Sequence, residues 1–170
     1  MRYGILAVLI ALSGFTPSAV AQGHSDFAGV WTTDMPRSES AHQDVPVRSS
    51  TLDIRFTDKE VILETKRKEG DSAAFHETLT LGLDGVETTT TGDSGIAVRG
   101  KAHWDGPRLV VETAREINGA MVTTRYVYTL NSNARELTVD KTLIVQHGYQ
   151  GVMTASNTGR GQEILVRASR

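Results

Sequence analysis

Cysteine is absent from this chain of 170 residues. Disulfide bonds, metal sites built from thiolates and lipid attachment at an N-terminal cysteine are therefore all excluded. Proteins of oxidising compartments often depend on disulfides for stability. If this chain works in such a compartment, we expect its domain to be held together by packing alone, and the chain is long enough to bury a core that does so.

An excess of charge is also missing. The chain has 18 Lys and Arg against 20 Asp and Glu, which gives a formal net charge of −2, and the two signs are interspersed without a basic cluster. Because proteins bind nucleic acids by neutralising phosphates with basic side chains, the sequence predicts no nucleic-acid partner. Beyond residue 22, no apolar run approaches the ~20 residues of a membrane-spanning helix, so no membrane span is expected there.

The first residues differ in character from the rest of the chain. Arg2 supplies positive charge, residues 5–12 are apolar, and a small-residue A-x-A pattern ends at Ala21. This order is typical of a secretory signal peptide, and the apolar run is too short to span a bilayer. We predict a signal peptide over residues 1–21, an alternative being an uncleaved anchor, and a single domain over residues 22–170 that is periplasmic or secreted.

Segments in which apolar and polar residues alternate recur through the predicted domain, as expected for half-buried β-strands. Turn residues separate them, and Asn118-Gly119 is the strongest hairpin signal because both residues tolerate positive φ. The threonine run 88–91 also favours extended backbone. The remaining predicted strands are residues 27–32, 52–56, 61–65, 75–81, 96–104, 109–113, 126–130, 137–143 and 163–167.

A meander of about ten short strands must close on itself or split into two sheets, and closure removes the exposed edges. We therefore predict an all-β fold, an antiparallel up-and-down β-barrel of about 8–10 strands, with a β-sandwich as the alternative. Residues 38–50 form a long polar loop that either covers one mouth of the barrel or simply connects two strands. Residues 148–161 contain four glycines and are predicted to be irregular.

Three motifs follow one another in the order of a known family. Gly29-Val30-Trp31 resembles the G-x-W element that opens lipocalin-type barrels, and together with Phe27 and Ser38 it resembles the start of small exported bacterial lipocalin-like proteins. Residues 104–113 are similar to the W-D-G-x-x-L-V-V-E-T strand of that family, and residues 128–139 to a later aromatic-x-Leu turn and L-T-V strand. The chain lacks the disulfide cysteines and a clear C-terminal helix of full lipocalins.

The resemblance implies a lipocalin-like barrel in which Trp31 packs across the closed end against a basic side chain from a late strand. Arg125 and Arg167 are the two candidates for that basic residue. It also implies a cavity for a small apolar ligand. Many members of the family have no known function, so the resemblance bears on the fold more than on an activity.

Aromatic residues are few, and a barrel of this size needs some of them in its interior. The phenylalanines and tryptophans at inward positions could either line a cavity or form an ordinary core, since large apolar side chains dominate cores. Two tyrosines on one face would add hydroxyl groups. We predict that six aromatic residues bind the ligand: Trp31, Phe56, Phe75, Trp104, Tyr126 and Tyr128.

Catalytic and metal motifs are weak in this sequence. Gly92-Asp93-Ser94-Gly95 is similar to the surroundings of the nucleophile in chymotrypsin-type proteases, but Ile96 replaces the further glycine and no upstream histidine has the required context. A Gly-flanked turn is the preferred interpretation. The five histidines, at positions 24, 42, 76, 103 and 147, lack zinc-site spacing. The sequence predicts no catalytic residue, no metal and no cofactor.

Two functions therefore stay open at this point, beside a third, an enzyme, which would require a buried cluster of His, Ser and carboxylate that sequence spacing does not show. The first is an exported, non-catalytic barrel that binds a small apolar ligand, and it requires an internal cavity. The second is a module that contacts another envelope protein through its rim or a strand face, and it requires an exposed apolar patch instead.

Overall fold

The structure is a computed structural model that describes five stretches of the chain, residues 24–42, 46–69, 72–92, 95–149 and 152–168. The predicted signal peptide and the Asp93-Ser94 pair of the protease-like motif lie outside these stretches. No helix within them is long and apolar enough to cross a membrane.

The described residues form ten antiparallel strands in a single sheet and two short 3₁₀ helices, His24–Phe27 and Met35–Arg37. Strands that are consecutive in sequence pair with each other, except the fourth and fifth, and the first strand also pairs with the last, which confirms the predicted up-and-down β-barrel. The strands are β1 (Gly29–Thr33), β2 (Ser50–Phe56), β3 (Glu60–Glu69), β4 (Ser72–Gly82), β5 (Thr88–Thr91), β6 (Ala97–Asp105), β7 (Arg108–Ile117), β8 (Ala120–Leu130), β9 (Glu136–Tyr149) and β10 (Val152–Arg167).

The hairpin between β7 and β8 forms at the predicted dipeptide. Asn118 and Gly119 have φ values of 51° and 78°, and the strands pair on either side of them, Ile117 with Ala120. Two consecutive residues of positive φ match the right-handed twist of the flanking strands, which is why Asn-Gly favours this turn.

The prediction of an irregular segment at residues 148–161 was wrong, because β9 and β10 pair along nearly their whole length. Gly159 and Gly161 have the same strand parity as Leu165, which is buried in the core, and therefore face inward. A Cβ on Gly159 would overlap the carbonyl oxygen of Ala41. The glycines allow another stretch of backbone to approach the strand, a recognised use of glycine in a sheet.

One side of the barrel is closed by side chains instead of backbone pairing. β4 and β5 are the two ends of the sheet order, and no residues of these strands are paired with each other in the described stretches. Leu81 of β4 covers Gly100 of β6, where a Cβ would lie 2.6 Å from the leucine Cδ2. Glu77 of β4 reaches Arg115 of β7. We call this junction the seam.

Trp31 closes one end of the barrel, as the lipocalin resemblance implies. Its side chain is fully buried, and the indole N–H donates a hydrogen bond to the carbonyl of Phe27 at 2.9 Å. The guanidinium of Arg167 lies 4.2 Å from the centre of a Trp31 ring. Its N–H groups donate to the carbonyls of Asp26, Ala28 and Ala134 at 2.5, 2.8 and 3.1 Å.

The basic partner of Trp31 is therefore Arg167. Arg125 instead lies on the outer face of β8 and forms an exposed ion pair with Glu112. The same contact explains the glycine of G-x-W: Gly29 has a φ of 127°, and a Cβ there would lie 2.7 Å from an Arg167 nitrogen. A side chain at position 29 would both strain the backbone and displace the guanidinium.

Other aromatic rings complete this end of the barrel. Trp104 stacks on His24 with ring centres 3.7 Å apart, meets Phe27 edge to face at 5.1 Å and contacts Phe56 at 5.7 Å. Such offset and edge-to-face contacts add to the stabilisation that burial of the rings provides. We call this region, with Trp31 and Arg167, the packed end.

Candidate functional site

A cavity of about 200 Å³ lies inside the barrel, beyond the packed end. The deeper part of its wall is apolar, because inward positions of six strands carry aliphatic residues there: Leu52, Leu63, Leu79, Val111, Val139 and Leu165. Nearer the mouth, the next inward positions carry polar or charged residues: Thr65, Arg67, Glu77, Tyr126, Lys141 and Glu163. The cavity therefore offers an apolar floor and a polar, charged upper wall.

A segment between β1 and β2 lies over the mouth of the cavity. We call residues 38–42 and 46–48 the strap, and Ser40, Pro46, Val47 and Arg48 of this segment line the cavity. The backbone of Glu39 exchanges two hydrogen bonds with Gln162 of β10, at 2.7 and 3.0 Å. Of the two interpretations of this loop, the structure supports the one in which it covers the mouth.

The strap is held in place by hydrogen bonds of Ser38 and by the space that two glycines of β10 leave for its backbone. The hydroxyl of Ser38, the residue shared with the bacterial family motif, donates to the carbonyl of Asp34 at 2.7 Å and accepts from the amide of Ile164 at 3.0 Å. The inward glycines of β10, Gly159 and Gly161, leave room for the backbone of Ala41. Larger residues at these two positions would exclude the strap from the barrel.

An ion pair between Glu77 and Arg115 crosses the interior beside the seam. The guanidinium donates to both carboxylate oxygens, at 2.6 and 3.1 Å, and the side chains are only 12 % and 17 % exposed. Burial by itself would lower the pKa of Arg115, but the hydrogen bonds and the charge of Glu77 outweigh it and leave that pKa raised. The geometry is the bidentate one that favours arginine over lysine.

A second ion pair lies on the opposite wall. Lys141 of β9 donates to Glu163 of β10, and both side chains are about four-fifths buried, with exposed fractions of 22 % and 20 %. The ammonium also lies 5.6 Å from the centre of the Tyr126 ring, within range of a cation–π interaction. Tyr126 stacks with Tyr128, with ring centres 6.2 Å apart.

Arg67 is a basic residue of the wall without a carboxylate partner among the described residues. Its guanidinium lies 4.4 Å from the centre of the Phe75 ring at the mouth of the cavity. The phenylalanine thus orients the guanidinium while leaving its N–H groups available to other acceptors.

Tyr128 lines the cavity at the level of its apolar floor, since it is paired with Val139. The residue is 5 % exposed. Its pKa is raised well above the usual value of 10.0, first because burial penalises the phenolate and then because of the nearby Tyr126 and Glu163. The side chain therefore stays protonated through neutral pH and can donate a hydrogen bond.

The six predicted ligand-binding residues fall into two groups. Phe75, Tyr126 and Tyr128 line the cavity, whereas the other three belong to the packed end. The packed residues are Trp31, Phe56 and Trp104. That any of the six binds a ligand remains a prediction.

The charged residues of the cavity were missed in the sequence analysis. Glu77 has the strand parity of Phe75 and Leu79, and Lys141 has that of Val139. This shared parity is the signal that could have placed them inside, because every second residue of a strand lies on one face.

Comparison of the sequence with protein-family models and with curated proteins finds no match. Several solved structures have a similar fold. One is apo Caenorhabditis elegans lipid binding protein 8, with a TM-score of 0.57, 9 % sequence identity and coverage of 86 % of this chain and 98 % of that one. A secretory abundant heat soluble protein from Ramazzottius varieornatus has a TM-score of 0.56 and 13 % identity, over 87 % and 98 % of the chains.

The wild-type fluorescent protein UnaG is also similar, with a TM-score of 0.52 and 17 % identity over 85 % of this chain and 98 % of that chain. At identities this low, the likeness concerns the fold and leaves the activity open. The chain therefore has a lipocalin-like, antiparallel up-and-down β-barrel fold.

Proposed function

We propose that this chain is an exported, non-catalytic protein that binds a small molecule with an apolar body inside its barrel. The observation that carries the proposal is the cavity of about 200 Å³, which has an apolar floor and lies under the strap. A concave, largely enclosed site with a few convergent polar groups is the usual form of a small-molecule site. The similarity in fold to a protein named as lipid binding supports the same function.

The size of the cavity limits the ligand. Small-molecule sites commonly measure about 300–1,000 Å³, and an engineered apolar cavity of about 150 Å³ holds benzene. With the strap in place, a cavity of about 200 Å³ accommodates one substituted ring or a short chain. A longer ligand would need the strap to move outward.

Export and a periplasmic or secreted location belong to the same proposal. They depend on the charged, apolar and small residues of the first 21 positions. The mass of the protein purified from its native source should equal that of residues 22–170, and a mass that includes Met1 would contradict this part of the proposal.

The exposed large apolar side chains do not favour the alternative of an envelope interaction module. Among the described residues they are distributed over six elements or connections: Val30, Met35, Val86, Ile96, Ile117 and Val166. Apolar residues exposed singly are normal on soluble proteins, whereas docking faces present a continuous patch. The envelope partner therefore stays an untested prediction.

Binding inside the barrel can be mapped by NMR of methyl groups. Titration with benzoate, benzamide and benzyl alcohol should shift methyl signals of Leu79, Val111 and Val139, which line the cavity floor. Ile54 and Leu137 are fully buried but lie in the core outside the cavity, so their methyl signals serve as the matched control. Shifts confined to surface methyls, or none with any of the three compounds, would contradict the proposed function.

A further inference from the structure

The hydroxyl of Tyr128 is a buried donor without a hydrogen-bond partner among the described residues. The side chain is 5 % exposed, and no described group hydrogen-bonds its hydroxyl. Among the described residues, every side-chain oxygen that is cut off from open space has a hydrogen-bond partner. The Tyr128 hydroxyl therefore borders the cavity that this residue lines, where a ligand atom can reach it.

The charges around the cavity favour an anion. Apart from Arg48 of the strap, which has an interaction of its own, its wall carries two basic residues, Lys141 and Arg67, and two acidic residues, Glu77 and Glu163, and Arg67 has no carboxylate partner among the described residues. Both carboxylates already have a basic partner in the barrel. The remaining positive charge stabilises a negative group in a partly desolvated site more strongly than it would in water.

The register of the strands brings the relevant side chains to one wall. Tyr128 of β8 is paired with Val139 of β9, and Val139 is paired with Glu163 of β10. Lys141 lies two residues further along β9 on the same face, which makes it a diagonal neighbour of Tyr128. A neutral hydroxyl donor and an ammonium group thus adjoin the same part of the cavity.

From this arrangement we infer that the ligand is a compact carboxylic acid of about one ring, whose carboxylate accepts a hydrogen bond from Tyr128 and lies beside Lys141. The inference rests on the proposed function, since it concerns the ligand of the same cavity. The apolar ring would lie against Leu79, Val111 and Val139. The carboxylate shares Lys141 with Glu163, and the excess positive charge of the wall offsets the repulsion between the two anions.

Benzoate and benzamide are matched probes because they share a ring and differ in charge. We expect benzoate to bind the wild-type protein at least about tenfold more tightly than benzamide does, since hydrogen bonds to charged groups are stronger than neutral ones. Tyr128→Phe, which removes only the hydroxyl, should weaken benzoate binding about tenfold and leave benzamide within about twofold.

Two lysine variants test the contribution of charge. Lys141→Met should weaken benzoate binding at least about tenfold, because it also leaves the negative charge of Glu163 facing the ligand. Lys101→Met is the matched control, since Lys101 pairs with Glu112 on the outer face of the barrel. Circular dichroism and thermal unfolding of each variant establish that the barrel is intact before affinities are compared.

The outcomes separate this inference from the function on which it rests. Equal affinities for benzoate and benzamide, or unchanged benzoate binding by Tyr128→Phe, would overturn the carboxylate inference while leaving a small-molecule site in place. Absence of binding by benzoate, benzamide and benzyl alcohol alike would overturn the proposed function itself.

Discussion

Replacement of Arg167 by methionine is expected to lower the free energy of unfolding by about 3 kcal/mol, because hydrogen bonds from a charged group contribute roughly 1.5 kcal/mol or more each. The variant loses three donors to backbone carbonyls and the contact with the ring of Trp31, whereas the methionine keeps much of the apolar stem. Urea unfolding followed by tryptophan fluorescence measures this loss, and both tryptophans of the chain lie at the affected end.

Arg125→Met is the control for this prediction. Arg125 is 46 % exposed and pairs with Glu112 at 3.4 Å on the outer face, and exposed pairs of this kind contribute about 0–1 kcal/mol. The two arginines were indistinguishable candidates in the sequence, so the comparison tests the structure directly. Equal losses for the two variants would show that Arg167 does not hold the closed end.

Removal of one partner of the Glu77–Arg115 pair should cost about 2–3 kcal/mol, somewhat less than for fully buried pairs, because a charge is left without its partner. Either Glu77→Met or Arg115→Met produces this effect. The double variant leaves no stranded charge and fills the space with apolar atoms, so its loss should be smaller than the sum of the single losses by about 2 kcal/mol. Urea unfolding of the wild type, the two single variants and the double variant gives the free energies of unfolding for the complete double-mutant cycle.

The same variants test whether this pair holds the seam together. Amide hydrogen exchange in β4 and β5 should speed up in both single variants and recover in the double variant, while exchange in the β8–β9 hairpin stays unchanged. The Lys101–Glu112 pair on the outer face provides the control, since breaking it should affect neither strand. Additive losses across the cycle would mean that the two side chains do not act as a pair.

The sequence was informative about the fold because strand parity and turn chemistry are local properties. The alternation in residues 52–56 and the Asn118-Gly119 dipeptide each indicate a structure that forms without knowledge of distant residues. The strand ends were less well predicted. Polar residues such as Lys66 and Glu116 extend their strands beyond the apolar stretches, since pairing with a neighbour continues where burial has ceased.

The features that escaped prediction depend on contacts between distant parts of the chain. Gly159 and Gly161 were interpreted as breaking a strand, although their function is to admit the backbone of Ala41, more than a hundred positions away. The choice between Arg125 and Arg167 likewise required the register between β1 and β10, in which Trp31 is paired with Arg167. The alternation of apolar and polar residues within one strand tells which side chains share a face. It does not tell which residue of β10 lies opposite Trp31, or where the strap lies.

The predicted site residues illustrate the same distinction. The alternation of residues along each strand placed all six aromatic side chains on the inner face of the barrel. It does not tell how far along the barrel axis each side chain lies. Phe75 and Tyr126 lie towards the mouth, whereas Trp31 and Trp104 lie at the packed end. Inward charges such as Lys141 were overlooked because charged residues are rarely buried unless paired, and the partner, Glu163, lies on another strand.

The most direct test of the central claim is a crystal structure of residues 22–170 grown with saturating benzoate. We expect a packed end around Trp31, a strap resting on Gly159 and Gly161, and ligand density beneath it between Tyr128 and Lys141. A barrel whose interior is filled by its own side chains from end to end, with no ligand inside, would contradict it.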